Sequence, residues 1–348
     1  MKTEDGTSAA GEGEKMIKEK LRVGTMELDG RIVMPPLGTY KCTEDGKVTD
    51  EILAHYAARA QNPLVSMIIT EHSYIALQGK AKARQLSVSS DDDLEGLQKL
   101  VTVIHDGGAK AMCQLNHAGS AALSEVSGQQ AVAPSPVLLP TKPAMGDDTE
   151  PAELSQPQIR QIVRWFAEAA VRAVQAGYDA VEIHSAHAYL LNQFYSPLTN
   201  KRTDVYGGSL DNRLRIHREV IAAVREAVGT AYPVAIRLGG CDYTEGGSTI
   251  EDAVYAAKVF EEAGVDLIDV SGGMCRYTVP GRTEPGYFRD LSEAVKRVVA
   301  LPVLLTGGVK TRDDAEKLLQ EGAADLIGVG RALFRDAAWE TAGGAQAQ

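Results

Sequence analysis

Several features that mark common protein classes are missing from this sequence. Its 348 residues contain four cysteines, and no two of them form the C-x-x-C pair on which zinc and iron–sulfur sites are usually built. No apolar run approaches the roughly 20 residues of a membrane-spanning helix, and the N-terminus lacks the charged and then apolar layout of a secretory signal. We therefore expect a cytoplasmic protein with reduced thiols, at Cys42, Cys113, Cys241 and Cys275.

Positive charge is scarce as well. Lysine and arginine number 36 against 47 aspartates and glutamates, which gives a formal net charge of −11. This charge repels phosphate backbones and anionic lipids, and no local basic patch opposes it. We therefore expect a small-molecule partner and neither a nucleic acid nor a membrane. The hydrophobic content of 44% is that of an ordinary folded protein.

From Arg31 onward, short apolar runs alternate with longer helical patterns. The apolar runs predict eight strands, at residues 31–35, 66–71, 109–115, 179–184, 233–238, 266–270, 302–307 and 325–330. Helical patterns lie between them, at residues 49–61, 91–106, 156–176, 210–228, 249–263, 287–299 and 311–321. Residues suited to N-caps open three of these helices, namely Thr49, Ser155 and Thr311.

Eight apolar strands, each followed by a helix, favour a closed parallel (β/α)8 TIM barrel. The alternative is a doubly wound open sheet. It is disfavoured because the first strand runs into PPLGTY (35–40), which lacks the glycine spacing of a dinucleotide turn. Residues 21–30 predict a small hairpin before the barrel. We expect a disordered tail at residues 1–16, one barrel domain at residues 17–340 and a second tail at residues 341–348.

The C-terminal ends of the predicted strands, where barrel enzymes build their active sites, carry polar side chains. Arg237 lies inside a strand and needs a negative partner there, either a structural carboxylate such as Glu182 or a bound anionic ligand. Gly308 and Gly330 follow the last two strands, with Arg331 beside them, as in the phosphate sites of other barrels. The alternative is that these glycines only permit tight turns.

Two histidines and a tyrosine, His184, His187 and Tyr189, follow the fourth predicted strand. Three interpretations stay open: zinc ligands, satisfied core histidines, or paired donors to an oxygen that gains charge, with Tyr189 as the acid. The zinc interpretation lacks a third ligand at metal-like spacing, so we expect no metal. A phenol stays protonated at neutral pH, which suits Tyr189 to the acid role.

Around these residues the sequence resembles the Old Yellow Enzyme family of flavin-dependent NAD(P)H oxidoreductases. The resemblance spans about residues 17–340 and is most specific in VEIHSAHAYLLNQFYSPLTNKRTDVYGGSLDNR (181–213). Supporting matches are RIVMPPLGTY (31–40), QLNHAGS (114–120), VAPSP (132–136), VAIRL (234–238) and LIGVGRALFRD (326–336). The resemblance implies a (β/α)8 barrel that contains FMN.

Carried over to the matching positions, the family's roles divide the site into a cofactor part and a substrate part. The resemblance implies flavin contacts from Pro36, Leu37, Gly38, the main chain of His72, Gln114 at the pyrimidine edge and Arg237 at N1 and O2, with Gly308, Gly330 and Arg331 on the phosphate. It also implies that His184 and His187 bind the substrate's carbonyl or nitro oxygen, that Tyr189 supplies a proton and that Tyr40 lines the pocket.

The resemblance implies an ene-reductase that takes electrons from NADH or NADPH and reduces the C=C bond of α,β-unsaturated carbonyl or related compounds, often as a homo-oligomer. Gly38, Ser120 and Ala188 depart from the usual family residues, which leaves the flavin potential open. The MPP-x-GT run and EDGKVTDE (44–51) resemble the enoate reductase branch, whose members add an iron–sulfur cluster and a second flavin domain. The 348 residues hold neither, so we expect electrons directly from a nicotinamide or from a separate protein.

Two alternatives remain. A related FMN barrel enzyme would act on another bond, through amine dehydrogenation or dienoyl-thioester reduction. Outside the flavin class, a barrel lyase or metal-dependent hydrolase is possible in principle. It is disfavoured because no lysine suited to a Schiff base stands at a strand end and no third metal ligand is evident.

Overall fold

The computed structural model describes residues 16–140 and 149–339. The tails expected at residues 1–16 and 341–348 lie outside this range, apart from Met16. Met16 and Ile17 donate their backbone N–H groups to the buried carboxylate of Glu316, at 3.1 and 3.0 Å. These two bonds attach the start of the described chain to the body of the protein.

Within the described residues, eight parallel strands form a closed barrel, so the predicted (β/α)8 TIM barrel is confirmed. The barrel consists of β3, β4, β5, β8, β9, β10, β11 and β12, and β12 pairs with β3 to close the ring. In chain order the strands are β1 Leu21–Val23, β2 Met26–Leu28, β3 Ile32–Met34, β4 Val65–Tyr74, β5 Lys110–Asn116, β6 Val132–Ala133, β7 Ala152–Glu153, β8 Ala180–Ser185, β9 Val234–Cys241, β10 Leu267–Gly272, β11 Val303–Thr306 and β12 Leu326–Gly328.

The predicted N-terminal hairpin is also present. β1 and β2 pair antiparallel, with Val23 opposite Met26, and Val23 and Leu28 are fully buried. These apolar side chains join a cluster with Met67 and Leu304, which come from the N-terminal halves of barrel strands. The hairpin therefore covers the end of the barrel opposite to the one where barrel enzymes place their chemistry.

Helices surround the barrel at most of the predicted positions. They are α1 Asp50–Ala60, α2 Leu94–Asp106, α3 Ser124–Ser127, α4 Gln156–Ala176, α5 Leu190–Tyr195, α6 Leu210–Arg213, α7 Arg215–Val228, α8 Ile250–Glu262, α9 Arg289–Lys296, α10 Arg312–Gln320 and α11 Arg331–Arg335. The hydroxyl of Thr311 accepts from the Asp314 N–H at 3.1 Å, as an N-cap does. No helix in the described ranges has both the length and the apolar character needed to cross a bilayer.

The structure differs from the sequence-based elements mainly at their ends. The helix predicted at residues 210–228 is interrupted at Leu214, which separates α6 from α7, and the helix predicted at residues 287–299 shortens to Arg289–Lys296. α5 was missed because all six of its residues are buried, which leaves no amphipathic period to detect. β4 continues to Tyr74 because pairing with β5 persists beyond its apolar run.

Candidate active site

The polar side chains of the site lie on one face of four neighbouring strands. Ala180, at the start of β8, belongs to the apolar cluster inside the barrel. Side chains alternate along a strand, so Glu182 and His184 face the same interior. In the strand register His184 lies beside Arg237 of β9, and Arg237 lies beside Asp269 of β10. The barrel interior therefore changes from apolar to charged towards the C-terminal ends of its strands.

Arg237 has a carboxylate partner, but a different one from the residue named from the sequence. Its Nε atom lies 2.9 Å from Oδ2 of Asp269, although the N–H is not directed at that oxygen. Glu182 instead accepts a hydrogen bond at 2.7 Å from the side-chain amide of Gln114. The structural carboxylate beside Arg237 is thus Asp269, whereas the carboxylate of Glu182 is bound by Gln114 of the neighbouring strand β5.

The turn after β8 presents two histidines and a tyrosine to one space. The ring of His184 lies 5.1 Å, between centroids, from the rings of both His187 and Tyr189. His187 and Ala188 have positive φ values of 60° and 63°, in the left-handed region that non-glycine residues seldom adopt. Hydrogen bonds hold this strained turn, from His187 N–H to the Gly272 carbonyl and between the His187 ring and the Ser271 hydroxyl.

Burial decides the protonation of these three groups. It lowers the pKa of His184 and His187 well below the usual histidine value, and the positive charges of Arg237 and Arg276 lower the pKa of His187 further. Burial also raises the pKa of the Tyr189 phenol. At neutral pH both imidazoles are therefore uncharged, each with one N–H to donate, and Tyr189 keeps its proton.

The loop after β3 brings Gly38 and Tyr40 to the same end of the barrel. A Cβ atom on Gly38 would lie 2.9 Å from the Tyr40 ring and 3.3 Å from Cε1 of His72, so a side chain there would require both rings to move. The Thr39 N–H fixes this loop by donating to the buried carboxylate of Glu71 at 2.7 Å. The His72 ring in turn lies 5.5 Å from Tyr189, between centroids. Gly38 and Tyr40 thus border the space around the histidines.

The glycine turns after β11 and β12 meet around one tyrosine. Gly308 has a φ of 70°, and a Cβ atom there would lie 2.6 Å from the Glu284 carbonyl and 2.9 Å from the ring of Tyr287. The Tyr287 hydroxyl lies 3.4 Å from a guanidinium nitrogen of Arg331. Leu37, from the loop after β3, extends to within 3.6 Å of the position of a Cβ on Gly330. Gly308 and Arg331 are therefore neighbours of the same tyrosine, and Gly330 is a neighbour of the loop after β3.

Sequence reasoning missed Asp269, Arg276, Tyr277 and Tyr287. Asp269 could have been found by the argument used for Arg237, since a charged residue interrupts an apolar strand at each position. Arg276 and Tyr277 lie in a long loop without periodicity, which gave no signal. The Nε atom of Arg276 is buried without a hydrogen-bond partner, and its guanidinium lies 5.1 Å from the centre of the Tyr277 ring.

A metal centre finds no support in the part of the chain that the structure describes. Across residues 16–140 and 149–339, no three side chains of histidine, cysteine, aspartate or glutamate come together as ligands. The arrangement is instead that of an enzyme site built from neutral donors, a phenol and a buried arginine at the C-terminal end of a barrel. This chemistry suits a substrate or cofactor that carries or gains negative charge.

Comparison with known proteins assigns the family. The model of the NADH:flavin oxidoreductase / NADH oxidase family matches residues 19–342, and the chain belongs to this family of FMN-dependent oxidoreductases. The chain is 40% identical to an NADH oxidase of Thermoanaerobacter brockii over 324 residues, 91% of this chain and 49% of that protein. It is 39% identical to an NADPH dehydrogenase of Geobacillus sp. (strain WCH70) over 329 residues, 94% of this chain and 93% of that protein.

Solved structures agree with this assignment. An Old Yellow Enzyme homologue from Zymomonas mobilis is 28% identical, with a TM-score of 0.79 over 91% of this chain and 89% of its own. A complex of 2-naphthoyl-CoA reductase is 26% identical, with a TM-score of 0.86 over 93% of this chain and 51% of its own. The resemblance to the Old Yellow Enzyme family is confirmed, whereas its enoate reductase branch is not established. The chain spans about half the length of some of the relatives it matches.

Proposed function

We propose that this protein is an FMN-dependent NAD(P)H oxidoreductase that reduces the activated C=C bond of α,β-unsaturated carbonyl or related compounds. The observation that carries the proposal is the grouping of three rings in a space bordered by Arg237: the His184 ring lies 5.1 Å, between centroids, from those of His187 and Tyr189. Two neutral imidazoles and a protonated phenol can bind an oxygen and supply a proton without bringing a competing charge.

The residues at the barrel's C-terminal end fit FMN. The Nε–H of Arg237 is buried without an aligned acceptor. Gly38 and Gly308 bring the backbone close to the Tyr40, His72 and Tyr287 rings, where a side chain would not fit. We assign the ring to Pro36, Leu37, Gly38, His72, Gln114 and Arg237, and the phosphate to Gly308, Gly330 and Arg331. When bound, FMN supplies a carrier that accepts a hydride from NADH or NADPH and delivers it to a substrate carbon.

The two histidines act on the substrate oxygen. As the β-carbon receives a hydride, this oxygen becomes enolate-like, and donors already aimed at it stabilise the transition state more than the ground state. A single donor of this kind contributes about 3 kcal/mol to lowering the barrier. The hydrogen bond at 2.7 Å between the His187 ring and Ser271 holds that imidazole in place.

Tyr189 supplies the proton that completes the reduction at the α-carbon. Its phenol lies at the N-cap of α5 and is 8% exposed, so water reaches it only slightly. Burial raises its pKa, which keeps the proton on the phenol until a more basic carbon needs it. Tyr40, half-exposed at the same opening, lines the path by which a substrate enters.

The test begins with the visible spectrum of the purified protein, which should show bound flavin. His184→Ala should then reduce the rate of enone reduction by about 100-fold or more, while flavin reduction by NADH or NADPH changes only a few-fold. Tyr189→Phe should slow enone reduction, and Tyr206→Phe, which loses only a bond to Glu219, is the matched control. A colourless protein that stays so with added FMN, or equal loss of both half-reactions in His184→Ala, contradicts the proposal.

A second candidate is reduction of an unsaturated thioester. It is favoured by the likeness to 2-naphthoyl-CoA reductase and by Ser120, a departure from the usual family residue whose buried hydroxyl has no hydrogen-bond partner. A panel that pairs an enone with an unsaturated CoA thioester, each with NADH and with NADPH, separates the candidates. Faster turnover of the thioester than of the enone would identify unsaturated thioesters as the substrate class.

A further inference from the structure

Four polar side chains from four neighbouring strands form a closed group at the proposed flavin site. Gln114, Glu182, Arg237 and Asp269 come from β5, β8, β9 and β10, and none is more than 4% exposed. Gln114 lies opposite Glu182 in the strand register, and Arg237 lies opposite Asp269. The group is therefore fixed by the backbone of the barrel and does not depend on any loop.

The group contains two carboxyl groups and one cation. Gln114 donates to Oε1 of Glu182 at 2.7 Å, and Arg237 approaches Oδ2 of Asp269 at 2.9 Å. Oε2 of Glu182 and both oxygens of Asp269 are buried without a hydrogen-bond donor. Such atoms are costly to leave unpaired in an interior. Within the described chain the group thus lacks at least one hydrogen.

The two carboxyl groups act on each other. Burial raises the pKa of Glu182 well above its usual range, and the charge of Asp269 raises it further, while Arg237 opposes the rise. Burial raises the pKa of Asp269 to about 6, with Arg237 and Glu182 lowering it. Two buried carboxylates that act on each other in this way cannot both stay ionised beside a single cation. One proton between them supplies the missing donor and makes the group electrically neutral.

We propose that Glu182 and Asp269 share one proton and together hold a single negative charge against Arg237, and that this charge sets the midpoint potential of the bound flavin. The inference rests on the proposed FMN site. Reduced flavin carries negative charge at the position that Arg237 is proposed to face, so the carboxyl pair competes with it for the same guanidinium. The pair is a positioning and tuning device, and neither residue contacts the substrate.

If the two carboxyl groups share one proton, the effects of replacing them on the midpoint potential should not be additive. In Glu182→Gln or Asp269→Asn, the remaining carboxyl group ionises to balance Arg237, so the charge of the group stays the same. Only the double variant loses the negative charge and leaves Arg237 free to stabilise reduced flavin. We expect the midpoint potential to rise little in either single variant. In the double variant it should rise by at least about 30 mV, a tenfold change in the two-electron equilibrium.

The experiment measures the midpoint potential of the FMN-loaded protein for the wild type, both single variants and the double variant. If the midpoint potential rises by comparable amounts in the two single variants, and these rises add up in the double variant, both carboxyl groups are fully charged in the wild type. That result would overturn the inference. So would an unchanged potential in the double variant. Asp93→Asn, which removes a buried carboxylate bonded to Ser87 and Lys47 outside the barrel interior, is the control and should leave the potential unchanged.

A second readout needs no flavin and separates this inference from the proposed function. The infrared spectrum of the apoprotein at pH 7 should contain the band of a protonated carboxyl group. Either single variant should lose that band, because the remaining group is ionised. A protein that binds no FMN but shows this pattern refutes the proposed function and keeps the shared proton. A protein that binds FMN but lacks the band refutes the shared proton alone.

Discussion

The two ends of the barrel interior share strands β5, β8, β9 and β10 and have opposite chemistry. The lower layer lies towards the strands' N-terminal ends and is apolar throughout, with the members Val23, Met26, Leu28, Val33, Met67, Ile69, Met112, Ala180, Ala235, Leu267, Leu304 and Leu326. The upper layer, Gln114, Glu182, His184, Arg237 and Asp269, is polar or charged and equally buried. Two residues along a strand separate the layers, as from Ala235 to Arg237 and from Leu267 to Asp269.

This difference shows that one layer of the barrel interior mainly stabilises the fold, whereas the other mainly forms the candidate active site. The lower layer excludes water and needs no partners, so its contribution grows with the apolar area that it buries. The upper layer removes charges from water and must compensate each one by a neighbour. The structure does this incompletely, since Arg237, Glu182 and Asp269 retain unpaired atoms. Incomplete compensation at the strands' C-terminal ends is what a site for an additional charged group requires.

The largest effect on stability should come from the lower layer. Leu304→Ala removes a fully buried side chain from the apolar cluster and should lower the free energy of unfolding by about 2–5 kcal/mol, because a cavity adds to the lost burial. Denaturant unfolding measures this loss. Leu304→Met, which conserves volume, is the control and should lose less than about 1.5 kcal/mol. If Leu304→Ala also shifts the flavin potential, the two layers are not independent.

The next effect concerns the loss of stability in acid, which His217 should cause. The Nε2 atom of His217 lies 2.8 Å from the hydroxyl of Ser185 at the end of β8, and burial lowers the pKa of His217 to about 3. The unfolded chain binds this proton near pH 6.5 and the folded chain does not. The contribution of His217 to stability is therefore complete above pH 6.5 and falls by up to about 1.4 kcal/mol per pH unit from there towards pH 3.

His217→Gln should remove that part of the pH dependence, which is measured by unfolding at a series of pH values. His105→Gln is the matched control, because the side chain of His105 is 40% exposed on the surface. An unchanged slope below pH 6.5 in His217→Gln would show that the acid sensitivity arises elsewhere.

The smallest effect should come from Arg276, whose charge reaches His187, Tyr189 and Tyr40 from the loop above the upper layer. Arg276→Gln should weaken binding of a carboxylate-bearing alkene by no more than about fivefold, because a partly exposed charge contributes about 1 kcal/mol at most. Spectral titration of the bound flavin measures the affinity. The methyl ester of the same alkene is the control, and equal weakening of acid and ester would contradict a charge effect.

The sequence predicted much of this arrangement because apolar strands and strand-end residues leave local signals. All eight strand positions, the hairpin and the main helices followed from periodicity. α5 and α11 did not, because helices of six and five residues inside loops have no measurable period. The sequence also named Arg237 as a buried charge, but it could not choose its partner. It offered a structural carboxylate such as Glu182 or a bound anionic ligand, whereas the strand register places Asp269 beside Arg237.

By itself, then, the sequence determined the barrel, the end that carries the polar residues and the identity of the histidines and the tyrosine. These follow from patterns within a few residues of one another. Only the tertiary structure decided which side chains meet, since His187 with Ser271 and Arg237 with Asp269 come together from separate parts of the chain. It also decided that the imidazoles are neutral and that the pKa values of the two carboxyl groups are raised, because a pKa depends on burial and on neighbouring charges that are distant in sequence.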